Sequence, residues 1–240
     1  MKMKNQDSPS EMSIAEMFDR IAFRYDFLNA LLSMKQDRRW RRILASWLPQ
    51  GEQGSLLDVA CGTGDVLQTV MQRRKNFTSF VGVDISKEML KLAEKKLGPE
   101  VQAPSLVLKP MSAEALNFPP QSFDALTISF GLRNVHDKEK ALREFHRVLK
   151  TGASLLVLAF FQSPPGLMNR LFRFYFHVLL PWIGGIFSDK KAYAYLPRSV
   201  ENFYTVPEFT EVLQKNGFEL TRKKVFLWGA CVLVEAKKTH

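Results

Sequence analysis

The segment Leu56–Asp65, which reads LLDVACGTGD, constrains the fold more than any other part of the chain. A short apolar run contains Asp58 near its end, and Gly62 and Gly64 then turn the chain into an amphipathic stretch. Glycine is needed where the backbone takes a positive φ or where a Cβ would collide with a ligand. The pattern therefore predicts a buried strand that turns sharply into a helix, with a ligand at the carboxyl end of the strand.

Short apolar runs alternate with amphipathic stretches on the carboxyl side of this turn. Strands are predicted at 55–59, 80–84, 105–109, 123–129 and 154–160. Helices are predicted at 65–74, 87–97, 138–150 and 206–216, and an antiparallel pair at the sheet edge at 218–226 and 231–237. This order predicts an α/β fold, in which helices cover both faces of a mostly parallel, doubly wound sheet.

The remaining segments complete the expected organisation. Apolar residues recur at helical spacing in 14–48, and the polar residues 1–13 are expected to be disordered. Residues 162–205 are rich in aromatic residues and prolines and interrupt the strand–helix rhythm, so we interpret them as a helical lid insertion. With 240 residues, the chain suits a single domain over 14–240.

The acidic residues near the glycine turn indicate which ligand it binds. Asp84 ends the next predicted strand about 20 residues beyond Gly64, the usual place for a carboxylate that binds ribose hydroxyls. A dinucleotide site would have a small residue at Leu67, and Asp65 puts negative charge where a pyrophosphate would lie. S-adenosylmethionine (AdoMet) has no phosphate and carries positive charge. The pattern therefore favours AdoMet over NAD.

The net charge indicates which classes of binding partner are attracted, but it does not identify one of them. Lys and Arg number 34 against 24 Asp and Glu, a net charge of +10, which attracts nucleic acid, anionic lipid or a negatively charged ligand. No zinc-finger spacing or RNA-binding aromatic motif occurs, so nucleic acid is not an expected partner, and no metal site is predicted. Two cysteines, no signal peptide and no apolar run of ~20 residues predict a cytoplasmic protein.

Several motifs in order identify a family resemblance. They are LDVACGTGD, VGVDIS, SAEALNFP, FDALTISFGLRNV and RVLKTGASLLVL, together with FDRIAFRYDFLN at 18–29 and AYAYLPRSV at 192–200. With these the chain resembles the quinone C-methyltransferases of menaquinone and ubiquinone biosynthesis. The resemblance implies a seven-stranded class I methyltransferase sheet, AdoMet as cosubstrate and demethylmenaquinol or a related polyprenyl quinol as substrate.

The resemblance also assigns the cosubstrate residues. It implies that Thr63 contacts AdoMet, that Asp84 holds the ribose hydroxyls and that Ser129 lies beside the methionine portion, with Ser112 and Ala113 at the adenine edge. The cosubstrate set is Asp58, Gly62, Thr63, Gly64, Asp84, Ser112, Ala113 and Ser129. Many relatives have Asp or Asn where Ser112 stands and Glu where Ala159 stands, so neither acidic role is expected here.

The reaction that the resemblance implies requires a second group of residues. A quinone is electron-poor, so the ring carbon must belong to the reduced quinol, and a phenolic proton must leave. Arg133 can stabilise a phenolate, Asn134 can orient a quinol oxygen and His136 can accept a proton near neutral pH. Tyr25 is expected to line the aromatic pocket or to relay a proton.

A prenylated substrate would also explain the aromatic insertion. We expect a tail channel with an opposite wall of Met17, Phe18 and Leu28. Its main lining is Phe172, Phe174, Phe176, Trp182, Ile183, Ile186 and Phe187. Basic residues beside the channel predict contact with an anionic membrane surface, at the inner face of the membrane. The expected oligomer, if any, is a homodimer.

Three other functions remain open from the sequence. A methyltransferase for a different small lipid or aromatic molecule would share Asp58, Gly62, Gly64 and Asp84 but would not need the segment FGLRN. A noncatalytic AdoMet-binding scaffold would not need the polar residues at 129–136. A nucleic-acid methyltransferase is the third, although Asn117-Phe118-Pro119-Pro120 has the wrong order for a base-methylating motif.

Overall fold

The structure, a computed structural model, describes residues 14–20, 22–23, 33, 35–50, 54–98, 105–162 and 199–239. Its helices beyond the helical residues 14–20 are α1 Asp37–Trp47, α2 Asp65–Arg73, α3 Lys87–Leu97, α4 Lys138–Val148 and α5 Val206–Lys215. Its strands are β1 Gly54–Val59, β2 Phe77–Asp84, β3 Ser105–Pro110, β4 Phe123–Ser129, β5 Leu149–Phe160, β6 Phe218–Phe226 and β7 Cys231–Lys238.

Most of the lid, the main lining of its tail channel at 172–187 with Leu28 of the opposite wall, and the predicted disordered residues 1–13 lie outside the described residues. No helix in the described part of the chain is long and apolar enough to cross a membrane.

Seven strands form one sheet in the order β3-β2-β1-β4-β5-β7-β6. All neighbouring pairs are parallel except those that β7 makes with β5 and β6. The predicted mostly parallel, doubly wound sheet and its antiparallel edge pair are thus confirmed. The strand order reverses between β1 and β4, and ligands of open α/β sheets bind in the crevice at such a reversal.

Two apolar clusters cover the two faces of the sheet. Neighbouring residues of β1 point to opposite faces, with Leu56 in one cluster and Leu57 in the other. Helices α1, α2 and α3 supply side chains to the first cluster, including the fully buried Trp40. Helices α4 and α5 supply Phe145 and Phe209 to the second. Because both faces of the central strands β1 and β4 are covered, a ligand can reach polar groups of these strands at their ends.

The predicted helical region 14–48 is interrupted just before α1. Lys35 has a positive φ of 60°, and α1 begins only at Asp37. The indole of Trp40 lies among three phenylalanines that end strands or follow them, Phe130, Phe160 and Phe226. Helix α1 is therefore packed against the ligand end of the sheet.

The loops that follow β1 and β4 approach each other very closely. A Cβ on Gly131 would lie 2.4 Å from the Cβ of Ala60, a distance at which the backbone must shift. Ala60 and Phe130 both have positive φ values, 51° and 59°, so each strand turns away abruptly at its end. The close contact sets the width of the crevice between the two strands.

We predict that Gly131→Ala lowers the free energy of unfolding by about 1–3 kcal/mol, because the added methyl group overpacks this contact. Gly131 has an ordinary φ of −89°, so backbone strain does not contribute. Urea denaturation measures the change. Gly98→Ala is the matched control, since Gly98 is in the α region with no atom within 4 Å of its added Cβ. Equal effects of the two substitutions would contradict the steric argument.

Candidate active site

A cleft of about 680 Å³ opens at the carboxyl ends of β1, β2 and β4. This volume counts the open mouth of the cleft as well as its interior. The structure brings together many of the residues predicted from the sequence on the walls of this cleft. They are Gly62, Asp84, Ser112, Ala113, Ser129, Asn134 and His136.

The buried carboxylate of Asp84 joins two backbone segments at the cleft. Its Oδ2 accepts a hydrogen bond of 2.8 Å from the N–H of Gly62, and its Oδ1 accepts one of 2.9 Å from the N–H of Ser86. Burial raises the pKa of Asp84 and the charge of Asp19 adds to this, although the backbone hydrogen bonds oppose it. A carboxylate oxygen accepts more than one hydrogen bond, so both oxygens can still bind ribose hydroxyls.

Asp58 is a buried acid with an oxygen that lacks a partner. Its Oδ1 accepts a hydrogen bond of 2.6 Å from the hydroxyl of Thr127, whereas its Oδ2 has no hydrogen-bond partner among the described residues. Burial raises the pKa of Asp58 to about 7, against the hydrogen bond from Thr127. An unsatisfied buried oxygen is costly, so this position favours a cation or a hydrogen-bond donor.

Ser129 is a second buried polar group of this kind. It ends β4 on the wall of the cleft, and its Oγ also lacks a hydrogen-bond partner within the described ranges. Asp58 and Ser129 lie on neighbouring strands, β1 and β4, where the strand order reverses. Two unsatisfied oxygens at one end of the sheet are what a ligand with polar and cationic groups requires.

The second half of the glycine turn faces away from the cleft. The hydroxyl of Thr63 accepts a hydrogen bond of 3.0 Å from Lys96. Gly64 has a φ of 82°, and a Cβ there would lie 2.8 Å from Leu97 on α3. Glycine is required at 64 by the backbone and by helix packing. The structure thus does not place Thr63 or Gly64 on the cleft wall.

Asp65 does not offer the cleft an uncompensated negative charge, contrary to the reasoning from the sequence. Its two oxygens form ion pairs with Arg41 at 2.8 Å and with Lys96 at 2.7 Å. Burial alone would raise the pKa of Asp65, but these two cations outweigh burial and lower it. Of the acidic residues near the turn, Asp84 lines the cleft together with Glu114, whereas Asp58 is buried and is not among the lining residues.

The loop after β4 separates the predicted catalytic residues. Asn134 lines the cleft, and His136 lies exposed on its wall. Arg133 is absent from the wall, because its Nε donates to the Oγ of Ser199 at 3.0 Å and its Nη1 donates to the carbonyl of Phe130 at 2.9 Å. Tyr25 lies outside the described residues. The arginine therefore connects this loop to the carboxyl-terminal part of the predicted lid, 162–205.

Some cleft residues were not found from the sequence. Ile14, Phe18, Met111 and Glu114 also line the cleft, and Phe18 was expected only in the channel of the prenyl tail. The first two belong to the helical residues 14–20, which cover part of the opening. Helical periodicity shows that one face of a segment is buried but not what it is buried against, so no signal in the sequence indicated this contact.

Solved structures with the same fold are similar over nearly the whole chain. The magnesium protoporphyrin IX methyltransferase ChlM from Synechocystis, with bound SAH, matches with a TM-score of 0.68 at 15% identity, over 96% of this chain and 100% of that chain. The [4+2]-cyclase SpnF matches with a TM-score of 0.73 at 16% identity, over 97% and 98%. The fold is that of the class I AdoMet-dependent methyltransferases, although a cyclase shares it, so fold does not fix activity.

The sequence narrows the class to one family. The chain belongs to the ubiE/COQ5 methyltransferase family, whose sequence model matches residues 2–238. The ubiquinone/menaquinone biosynthesis C-methyltransferase UbiE of Geotalea uraniireducens is 44% identical over 206 residues, 86% of this chain and 88% of that protein. The demethylmenaquinone methyltransferase of Bacteroides fragilis is 32% identical over 239 residues, 99% and 97%. The protein is therefore an AdoMet-dependent methyltransferase, and the predicted resemblance is confirmed.

The residues present fit AdoMet as the cosubstrate. The buried carboxylate of Asp84 suits ribose hydroxyls, and the unsatisfied oxygen of Asp58 suits an ammonium group. The same cleft is also lined by Ser129, Asn134 and His136. No group of three or more metal-ligating side chains is found in the part of the chain that the structure describes.

We predict that binding of S-adenosylhomocysteine (SAH) strengthens about tenfold between pH 6 and pH 8 through Asp58 alone. With a pKa of about 7, the free carboxyl is mostly protonated at pH 6 and ionised at pH 8, and the ligand ammonium favours the ionised form. Isothermal titration at a series of pH values measures the dissociation constant.

Asp58→Asn is the matched variant, because the amide keeps the size of the side chain and the bond to Thr127 but does not titrate. The amino group of SAH titrates equally with both proteins, so the difference between the two pH profiles isolates Asp58. Parallel pH profiles for the two proteins would show that ionisation of Asp58 does not affect SAH binding.

Proposed function

We propose that this protein transfers the methyl group of AdoMet to a ring carbon of a polyprenyl quinol, converting demethylmenaquinol to menaquinol. The observation that carries this proposal is the loop at 131–136, which brings Asn134 and His136 to the wall of the cleft that also contains Asp84. Family membership supports a quinone-pathway substrate, since relatives at up to 44% identity have names from that pathway.

The chemistry requires a reduced substrate and a place for its proton. AdoMet, when bound, supplies an electrophilic methyl group on a sulfonium. A phenolic O–H of the quinol must lose its proton for the ring carbon to become nucleophilic, and a ring proton leaves after the transfer. His136 is exposed at the cleft wall, where it can accept a proton and pass it to solvent. We assign His136 the role of general base.

The other polar residues of this loop position the quinol and stabilise its phenolate. The amide of Asn134 faces the cleft and donates a weak hydrogen bond of 3.4 Å to the carbonyl of Phe130, so it can turn toward a quinol oxygen. Arg133 places a permanent positive charge in the same loop, which favours a phenolate. Its bonds to Phe130 and Ser199 also fix the position of the loop. Tyr25 stays a proposed member of the aromatic pocket.

The corresponding methylation of 2-polyprenyl-6-methoxybenzoquinol, in ubiquinone biosynthesis, is the second candidate. The specific support is that the relative from Campylobacter jejuni, 38% identical over 94% of this chain and 97% of that protein, is named for both pathways. The relative from Bacteroides fragilis is named for demethylmenaquinone alone. The two substrates differ in the ring and share the phenol chemistry described above.

We predict that the purified protein methylates demethylmenaquinol, kept reduced, and turns over the methoxybenzoquinol more slowly. Both substrates carry the same short prenyl tail, and transfer from radiolabelled AdoMet measures the rates. The oxidised quinone should give no product, because its ring carbon is not nucleophilic. Measurable AdoMet binding without methyl transfer to either quinol would refute the assignment.

His136→Ala serves as the site-specific control and should lower kcat about a hundredfold, the lower range for a general base. His146→Ala is its matched partner. His146 lies on α4 against Phe218, remote from the cleft lining, and should leave kcat nearly unchanged.

We further propose that the protein meets its substrate at the inner face of the membrane and that the outer face of α1 contributes to this contact. Arg38, Arg39 and Arg42 are exposed on this face, and the acid of the helix, Asp37, is buried against Arg41. A basic surface without exposed acids attracts anionic lipid by about 1 kcal/mol per residue. The net charge of +10 acts in the same direction.

We predict that replacing Arg38, Arg39 and Arg42 together by Gln weakens binding to vesicles with phosphatidylglycerol at least tenfold, measured by co-sedimentation at low salt. The matched control replaces Lys87, Lys91 and Lys95, exposed on α3 beside Glu88 and Glu94, with the same loss of charge. Activity on a short-chain soluble quinol should be unchanged in both variants. Equal losses of vesicle binding would show that only net charge matters.

A further inference from the structure

The N-terminal helical residues 14–20 are held over the cosubstrate end of the cleft by one carboxylate. Asp19 Oδ1 accepts a hydrogen bond of 2.5 Å from the hydroxyl of Ser86 and one of 3.3 Å from the N–H of Glu88. Asp19 thereby contributes to the N-terminal cap of α3, although it lies far away in sequence. Ile14 and Phe18 from the same helical segment line the cleft beside Asp84.

Ser86 links this segment directly to the ribose carboxylate. Its backbone N–H donates to Asp84, and its hydroxyl donates to Asp19 and accepts from the N–H of Met89. Ser86 is fully buried, so water does not replace Asp19 as the acceptor of its hydroxyl group. Ser86 therefore connects the N-terminal segment to one of the hydrogen bonds that hold Asp84.

We propose that Asp19 is a positioning residue that couples AdoMet binding to docking of residues 14–20, so that AdoMet binds before the quinol. The segment covers part of the cosubstrate end of the cleft, so entry of AdoMet requires it to move aside. When it docks again, Phe18 restores a wall of the cleft that leads to Asn134 and His136. The order of binding rests on the proposed function, whereas the coupling to AdoMet does not.

Because of thermodynamic linkage, the coupling can be measured either as the affinity for the cosubstrate or as the docking of residues 14–20. If docking of residues 14–20 strengthens binding of the cosubstrate, then the cosubstrate must strengthen docking by the same factor. The hydrophobic contribution comes from Ile14 and Phe18, and the directional one from Asp19, because its two hydrogen bonds fix where the segment lies on α3. Loss of Asp19 should therefore affect ligand affinity without altering the catalytic loop.

The test uses SAH as a probe that needs no acceptor. Isothermal titration should show SAH binding about tenfold weaker in Asp19→Ala than in the unmodified protein. Asp19→Asn should recover most of the affinity, because its amide oxygen still accepts from Ser86 and Glu88. Tryptic cleavage after the exposed Arg20 should be slowed by SAH in the unmodified protein but much less in Asp19→Ala.

Thr205→Ala is the matched control for a general loss of stability. Thr205 caps α5 through a capping box and lies off the cleft lining, so this variant should lower Tm while leaving the Kd for SAH unchanged. An unchanged Kd in Asp19→Ala, or equal losses in Asp19→Ala and Thr205→Ala, would overturn the coupling.

Kinetics with the quinol test the order. SAH should be competitive with AdoMet and noncompetitive with the quinol, and Asp19→Ala should raise KM for AdoMet while kcat stays within about twofold. Patterns that show random addition would overturn the ordered scheme. Because the titration and the proteolysis need no methyl acceptor, a failure of the quinol assignment would leave the test of Asp19 intact.

Discussion

The hydrogen bonds that the buried Asp84 accepts hold the ligand end of the sheet in one arrangement. One oxygen bonds the N–H of Gly62 in the loop after β1, and the other bonds the N–H of Ser86 before α3. This carboxylate therefore joins the glycine loop to the start of α3. The same group faces the cleft, so the interaction that organises the fold here also prepares the site for a ribose.

The charges around this anchor are divided between structure and binding. Asp65 is neutralised by Arg41 and Lys96, and these ion pairs tie α1 and α3 to the start of α2. Asp84 lines the cleft and Asp58 is buried in β1, and the pKa values of both are raised, mainly by burial. In a chain with a net charge of +10, this arrangement keeps a local acidic site for a cationic cosubstrate.

Much of the fold and about half of the candidate site were predictable, for different reasons. Strand and helix positions follow from periodicity, and β4 and β6 begin and end at the predicted residues. Gly62 and Asp84 were predicted because parallel strands bring their carboxyl ends to one edge, and Ser129 was predicted from the family resemblance. The orientation of Thr63 and the partners of Asp65 were not, because both depend on Lys96, which lies on a helix distant in sequence.

The sequence by itself determined the class of fold, the edge of the sheet that binds the ligand and the family, because each depends on local patterns and on ordered motifs. Only the tertiary structure decided which polar groups of LLDVACGTGD face the ligand. One oxygen of Asp58 lacks a hydrogen-bond partner among the described residues, whereas both oxygens of Asp65 form ion pairs. Only the structure, too, placed Phe18 on the wall of the cleft and Asp19 against Ser86. Such contacts join residues far apart in the chain, and their geometry is fixed by how helices pack on the sheet rather than by the residues nearby in sequence.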